Sequence, residues 1–237
     1  MLFRSFDVDA AVGAARRLGY RKVVTIGWSM GGAAVIRHAA LAAGEEPVYG
    51  HRLRHRPDAV VSVSATSRWF VRDTAPARRI LWMAETAAGR AFARRALKVR
   101  ITPQPWTVIP PAPVDLIGRI PPTPVLIVHG DRDAYFTLEH PRALARAAGA
   151  GAQLWLVPGF GHAEAGLIPG LLDRIGAHLP DLLAGREEWT RLAERADRAA
   201  RALVRQHHPE QIADLGTGDL VTGIPGMTPG LTPELED

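Results

Sequence analysis

Apolar residues recur along this chain in two rhythms, short uninterrupted runs and longer stretches with one apolar position every third or fourth residue. Over residues 7–18, Val8, Ala11, Val12, Ala15 and Leu18 follow helical spacing, with Asp7 placed to cap the start and Gly19 to stop the helix. The run Lys22-Val23-Val24-Thr25-Ile26 is β-branched, predicts a strand and ends at Gly27; helical spacing resumes over residues 31–41. Further buried strands are predicted over 59–65, 124–129 and 153–157, with helices over 138–148 and 163–183. Strands and helices alternating at these lengths predict an α/β fold, a mostly parallel sheet flanked by helices.

Residues 66–122 interrupt the alternation. Helices are predicted near 76–86 and 89–98, and the proline-rich stretch 103–122 reads as irregular. Beyond residue 185, Trp189, Leu192, Ala196, Ala199 and Leu203 form an apolar stripe on an Arg/Glu-rich helix that should dock on a neighbour. Residues 216–237 repeat Gly, Pro and Thr and predict little regular structure. Four segments follow: 1–65 and 123–185 as two parts of one core, 66–122 as an insertion, and 186–237 as an appendage.

Composition narrows the function classes. The chain has 237 residues, 47% of them hydrophobic, enough for a sizeable core. It contains no run of eighteen apolar residues and no basic, apolar leader of secretory type, which points to the cytoplasm and to no integral membrane contact. With no cysteine, thiolate metal sites, disulfides and a cysteine nucleophile are excluded. The nine histidines are scattered without metal-ligand spacing, so no metal and no cofactor is expected. Net charge is +5, and basic clusters occur at 51–56 and 94–100. No aromatic platform interleaves them, so they read as solvated faces and not as a nucleic-acid surface.

Candidate chemistry centres on Gly27-Trp28-Ser29-Met30-Gly31, between a buried strand and a helix. In this context the serine can project from a tight strand-to-helix turn as a nucleophile, with the Met30 amide at the helix N-terminus available to an oxyanion. A plain glycine-rich or phosphate-binding turn has the same letters. Asp131 and Asp133 follow the third strand and His162 the fourth, so both loops reach the rim where ligands of parallel sheets bind. His129, ending a buried strand, reads as a packed residue, and His38 and His140 lie in helices.

These three segments, Ile26-Gly27-Trp28-Ser29-Met30-Gly31-Gly32, His129-Gly130-Asp131-Arg132-Asp133 and Pro158-Gly159-Phe160-Gly161-His162, resemble the motifs of the α/β-hydrolase superfamily, its esterase and lysophospholipase-like branches above all. The resemblance covers about residues 7–183. It implies Ser29 as nucleophile, His162 as general base and Asp133, preferred over Asp131, as the acid that orients the histidine. Asp131 is expected to cap its loop, and Glu164 to cap or pair with an arginine. The resemblance further implies hydrolysis of a carboxylic ester with an apolar acyl or alkyl group, through an acyl-enzyme. Acyl transfer, peptidase chemistry or a binding protein that keeps the old pocket stay open. Residues 66–122 fall where the family carries a small helical cap, and Trp28, Trp69, Phe70 and Trp82 are the expected substrate-binding residues.

In that family, strands and a His-Gly oxyanion loop precede the nucleophile strand, whereas here a single helix does. The expectation is therefore an N-terminally truncated hydrolase fold, with activity reduced by a missing oxyanion donor. Its strand 22–26 would present an apolar edge, for which the C-terminal helix or a second copy in a homodimer is the expected cover.

Overall fold

Four strands, all parallel and in the order β1-β2-β3-β4, form the frame on which the loops of interest hang. The computed structural model describes residues 4–44, 50–103, 108–163 and 170–185, with Arg191, Arg195 and Arg198 as single positions. By contacts the chain divides into units of residues 1–187 and 188–237. Apart from those three arginines, the helix expected over 189–204, the tail 216–237, Trp106 and Glu164 lie outside the described residues.

The elements are α1 (Arg4–Arg17), β1 (Val24–Trp28), α2 (Met30–Ala43), β2 (Ala59–Val63), α3 (Ala75–Glu85), α4 (Ala87–Ala96), α5 (Pro113–Leu116), β3 (Val125–Gly130), α6 (Glu139–Ala148) and β4 (Ala152–Val157). Residues 170–185 form a further helix, α7. Every residue of β2 and β3 is buried. Alternate side chains serve opposite faces, as the two-residue period of a strand requires. Val60, Val125 and Ile127 pack with Ile36 and Ala39 of α2 and Leu144 of α6. Val61, Val63, Leu126 and Val128 pack with Leu171, Ile175 and Leu182 of α7. Each such aliphatic side chain stabilises the sheet by about 1.5–3 kcal/mol.

Four local expectations are corrected. β1 runs over 24–28 instead of 22–26, passing through Gly27 and ending one residue before Ser29. α1 stops at Arg17, because Gly19 turns the chain at φ 92°; Leu18 is then 78% exposed instead of lying on the buried face. The proline-rich stretch is not irregular throughout: Pro113 starts the short α5, where the Asp115 carboxylate accepts the Ala112 N–H at 2.8 Å. Leu116, Ile117 and Ile120 are there buried in the same cluster as Ile36 and Leu144, so the end of the predicted insertion belongs to the core.

In the basic stretch 51–56 His51, Arg52 and Arg54 are exposed, as a solvated face requires, while the backbone beneath is tied to α1. Asp9 of α1 accepts the backbone N–H groups of Arg54 and His55, each at 2.9 Å, and stands 3.1 Å from His55 Nδ1. Arg56 donates to the carbonyls of Ile120 and Pro121 at 2.6 and 2.9 Å.

Candidate active site

The turn between β1 and α2 puts Ser29 in a backbone conformation that side chains rarely adopt, with φ 51° and ψ −115°. Such strain costs about 1–3 kcal/mol and persists only where neighbours hold it. The Ser29 N–H donates to the Val63 carbonyl at 2.8 Å, and the Ser29 carbonyl accepts from Ala33 at 3.2 Å. Space at the turn is decided by Gly27 and Gly32. A Cβ on Gly27 would stand 2.2 Å from the Gly31 carbonyl oxygen, and one on Gly32 2.9 Å from the Ala65 Cβ and the Ser62 Oγ. Gly31 faces open space.

β3 ends at Gly130, and the next loop bends back so that the Asp133 side chain is fully covered. One carboxylate oxygen, Oδ1, accepts the backbone N–H groups of Tyr135 and Phe136 at 2.8 and 3.0 Å. The other, Oδ2, accepts Nδ1–H of His162 at 2.8 Å. Burial alone would raise the Asp133 pKa. The His162 hydrogen bond and charge and the two backbone donors outweigh it, and the pKa lies below the ordinary carboxylate value.

An ionised Asp133 fixes the tautomer of His162: the proton sits on Nδ1, and Nε2 presents its lone pair. Nε2 lies 2.9 Å from Ser29 Oγ, so the serine hydroxyl donates to it. The imidazole is wedged by the rings of Tyr135, 4.6 Å away, and Phe136, 5.3 Å away. Its loop is anchored at several points. Phe160 is buried in the core, Gly159 N–H donates to Asp131 Oδ1 at 2.7 Å, and Arg132 N–H donates to the Phe160 carbonyl at 3.0 Å. Beyond the histidine, Ala163 N–H donates to Ser64 Oγ at 3.2 Å.

The structure thus brings Ser29, His162 and Asp133 together in one hydrogen-bonded row. Met30 opens α2, where the first helical N–H has no intrahelical acceptor. The expected substrate-binding aromatics disperse. Trp28 packs against the core cluster beside α7. Trp69 donates its Nε1–H to the Pro110 carbonyl at 2.7 Å and lies under the Arg37 guanidinium, while Phe70 is 48% exposed. Trp82 lies 6.0 Å from Phe92, between α3 and α4.

The sequence marked His129 as packed and His140 as helical without tying either to the row. His129 donates Nε2–H to the Phe136 carbonyl at 3.0 Å and stands 3.4 Å from Asp133 Oδ2, backing the carboxylate from inside the core. Its pKa is lowered by burial. His140 accepts at Nδ1 from the Ser67 N–H at 3.1 Å and from the Ser67 hydroxyl at 2.9 Å. Ser64, at the end of a β-branched run, sits in a strained turn at φ 51°. Among the described residues, no three His, Asp or Glu side chains are arranged to hold a metal ion.

The sequence model of a family described as "Alpha/beta hydrolase family" matches residues 3–167. No curated protein matches the chain. Among solved structures, the Pyrococcus furiosus esterase Pf2001 aligns at 14% identity with a TM-score of 0.50, over 78% of this chain and 62% of that one. Zea mays acyl-protein thioesterase 2 aligns at 16% identity and TM-score 0.44, over 76% of this chain and 66% of that one. TT1662 from Thermus thermophilus aligns at 18% identity and TM-score 0.42, over 74% and 57%. The chain spans less than two thirds of the length of these proteins, and at such identities the likeness is one of fold.

Proposed function

The chain belongs to the alpha/beta hydrolase family, and from that premise we propose that it is a serine hydrolase that cleaves a carboxylic ester through an acyl-enzyme. The observation that carries the reading is the pair of contacts on one imidazole, 2.9 Å to Ser29 Oγ and 2.8 Å to Asp133 Oδ2. Ser29 Oγ attacks the ester carbonyl carbon while His162 Nε2 takes its proton, and ionised Asp133 stabilises the imidazolium that results. The oxyanion of the tetrahedral intermediate accepts from the Met30 N–H. Collapse expels the alcohol, protonated by His162, and water releases the acyl group by the same steps with the serine as leaving group.

An apolar acyl or alkyl group suits the rings of Tyr135 and Phe136, which flank the imidazole and shield the row from water. The hairpin of α3 and α4 would serve as the cap of the site.

A fluorophosphonate probe tests the reading. It should label the wild-type chain covalently and leave a folded Ser29→Ala variant unlabelled, and that substitution should lower kcat on a p-nitrophenyl ester by roughly 10⁶-fold. A folded wild-type chain that neither reacts with the probe nor releases p-nitrophenol would overturn it.

A further inference from the structure

The positive charge of this protein is concentrated in one place. Residues 75–103 contain seven cationic side chains and a single carboxylate, a net +6 that exceeds the +5 of the whole chain, so the remainder is close to neutral. The one carboxylate, Glu85, is already taken by Arg72, whose Nη2 reaches both of its oxygens at 2.8 Å. Among the described residues, none of the ion pairs engages Arg79, Arg94, Arg95, Lys98 or Arg100. Three arginines of this segment, Arg90, Arg94 and Arg100, line an open cavity of about 470 Å³ floored by Ala87 and Ala91.

The same segment exposes large apolar side chains. Ile80, Trp82, Phe92, Leu97 and Val99 are each 42–52% exposed, and the facing rings of Trp82 and Phe92 bridge the two helices at their outer side. The hairpin itself is well built, since Thr74 and Thr86 cap α3 and α4 by accepting N–H bonds at 3.3 and 2.9 Å. Exposed aliphatic and aromatic groups on the same two helices as arginines that, among the described residues, form no ion pair are the pattern of a hairpin that rests in the headgroup region of a membrane. Nucleic acid would use the arginines and the rings, but offers nothing to Ile80, Leu97 and Val99.

We propose that the α3–α4 hairpin docks the protein peripherally on an anionic lipid bilayer. Phosphate headgroups fill the cavity lined by Arg90, Arg94 and Arg100, while Trp82, Phe92 and Leu97 enter the acyl boundary. Docking does not rest on the reaction proposed above, although the same hairpin is the cap there, and failure of either leaves the other standing.

Sedimentation of the full chain with vesicles tests it. The wild-type chain should pellet with vesicles of phosphatidylcholine mixed with phosphatidylglycerol, stay in solution with phosphatidylcholine alone, and be released by high salt, which screens surface charge. Replacing Arg94, Arg95 and Arg100 together by Gln should weaken partitioning on the order of a hundredfold, at roughly fivefold per charge. Phe92→Ser with Leu97→Ser should weaken it at unchanged charge. All five side chains are exposed, and circular dichroism verifies that the variants fold. The proposal fails if the wild-type chain ignores both kinds of vesicle, or binds both equally. It fails too if the arginine variant binds as the wild type does, or if a single-stranded oligonucleotide is retained by these arginines while anionic vesicles are not.

Discussion

Gly130 lies directly beneath Phe160: a Cβ at position 130 would stand 2.0 Å from the Phe160 carbonyl oxygen. The loop that carries His162 crosses the end of β3 at this point, two residues before the imidazole. Gly130→Ala must push the two backbones apart. The expected result is destabilisation of about 1–3 kcal/mol, seen as a lower urea midpoint, together with a loss of the proposed esterase activity larger than the loss of folded protein.

The glycines of the turn that carries Ser29 are not equivalent. Gly27→Ala places a methyl 2.2 Å from the Gly31 carbonyl oxygen, whereas at Gly31 the space is open. Gly27→Ala should prevent the turn and abolish labelling by a fluorophosphonate. Gly31→Ala should fold with stability raised by about 0.4–1 kcal/mol, because alanine restricts the unfolded chain and suits the first turn of α2. Thermal melts of the two variants decide the matter, and equal destabilisation would contradict the steric account.

Asp133→Asn retains the backbone donors to Oδ1 but removes the charge that fixes the His162 tautomer. It should lower kcat by about 10⁴-fold with little change in fold. The carboxyl has a lowered pKa in the folded state. Its contribution to stability is therefore complete above the ordinary carboxylate value of about 4 and is lost as pH falls through the folded value. Urea titrations at decreasing pH should show the wild type losing more stability below pH about 4 than the Asn variant does.

Three fully buried histidines, His38, His129 and His140, have lowered pKa values, burial being the largest cause in each. The unfolded chain then binds protons that the folded chain refuses. Stability should be full above pH about 6.5 and fall as pH drops below it, until the folded values are reached. His140→Gln should flatten part of that slope. Its own cost should be about 1–3 kcal/mol at neutral pH, since the Ser67 donors lose their partner. Denaturant midpoints measured between pH 5 and 8 provide the check.

The framework of the fold was legible because buried parallel strands are short β-branched runs and surface helices carry a 3.6-residue stripe, both local signals. The candidate row was legible for a related reason: glycines at the ends of β1, β3 and β4 mark where the chain must turn at one rim of a parallel sheet. The proline-rich stretch misled because proline punctuates a sequence strongly, while the burial of Leu116, Ile117 and Ile120 depends on α2 and α6, remote in sequence. The aromatic residues are ambiguous in sequence, for a ring fits a substrate site, a core or an exposed hairpin equally well until its neighbours are known.

By itself the sequence determined the order and type of the four strands and of the helices other than α5, and which three loops meet at the sheet rim, since these follow from periodicity and backbone freedom. Tertiary structure decided that Gly32 and not Gly31 bears the steric constraint, that His129 backs Asp133, and that Arg90, Arg94 and Arg100 line one cavity. These depend on distances between residues far apart in the chain, which only the packing of the elements against one another sets.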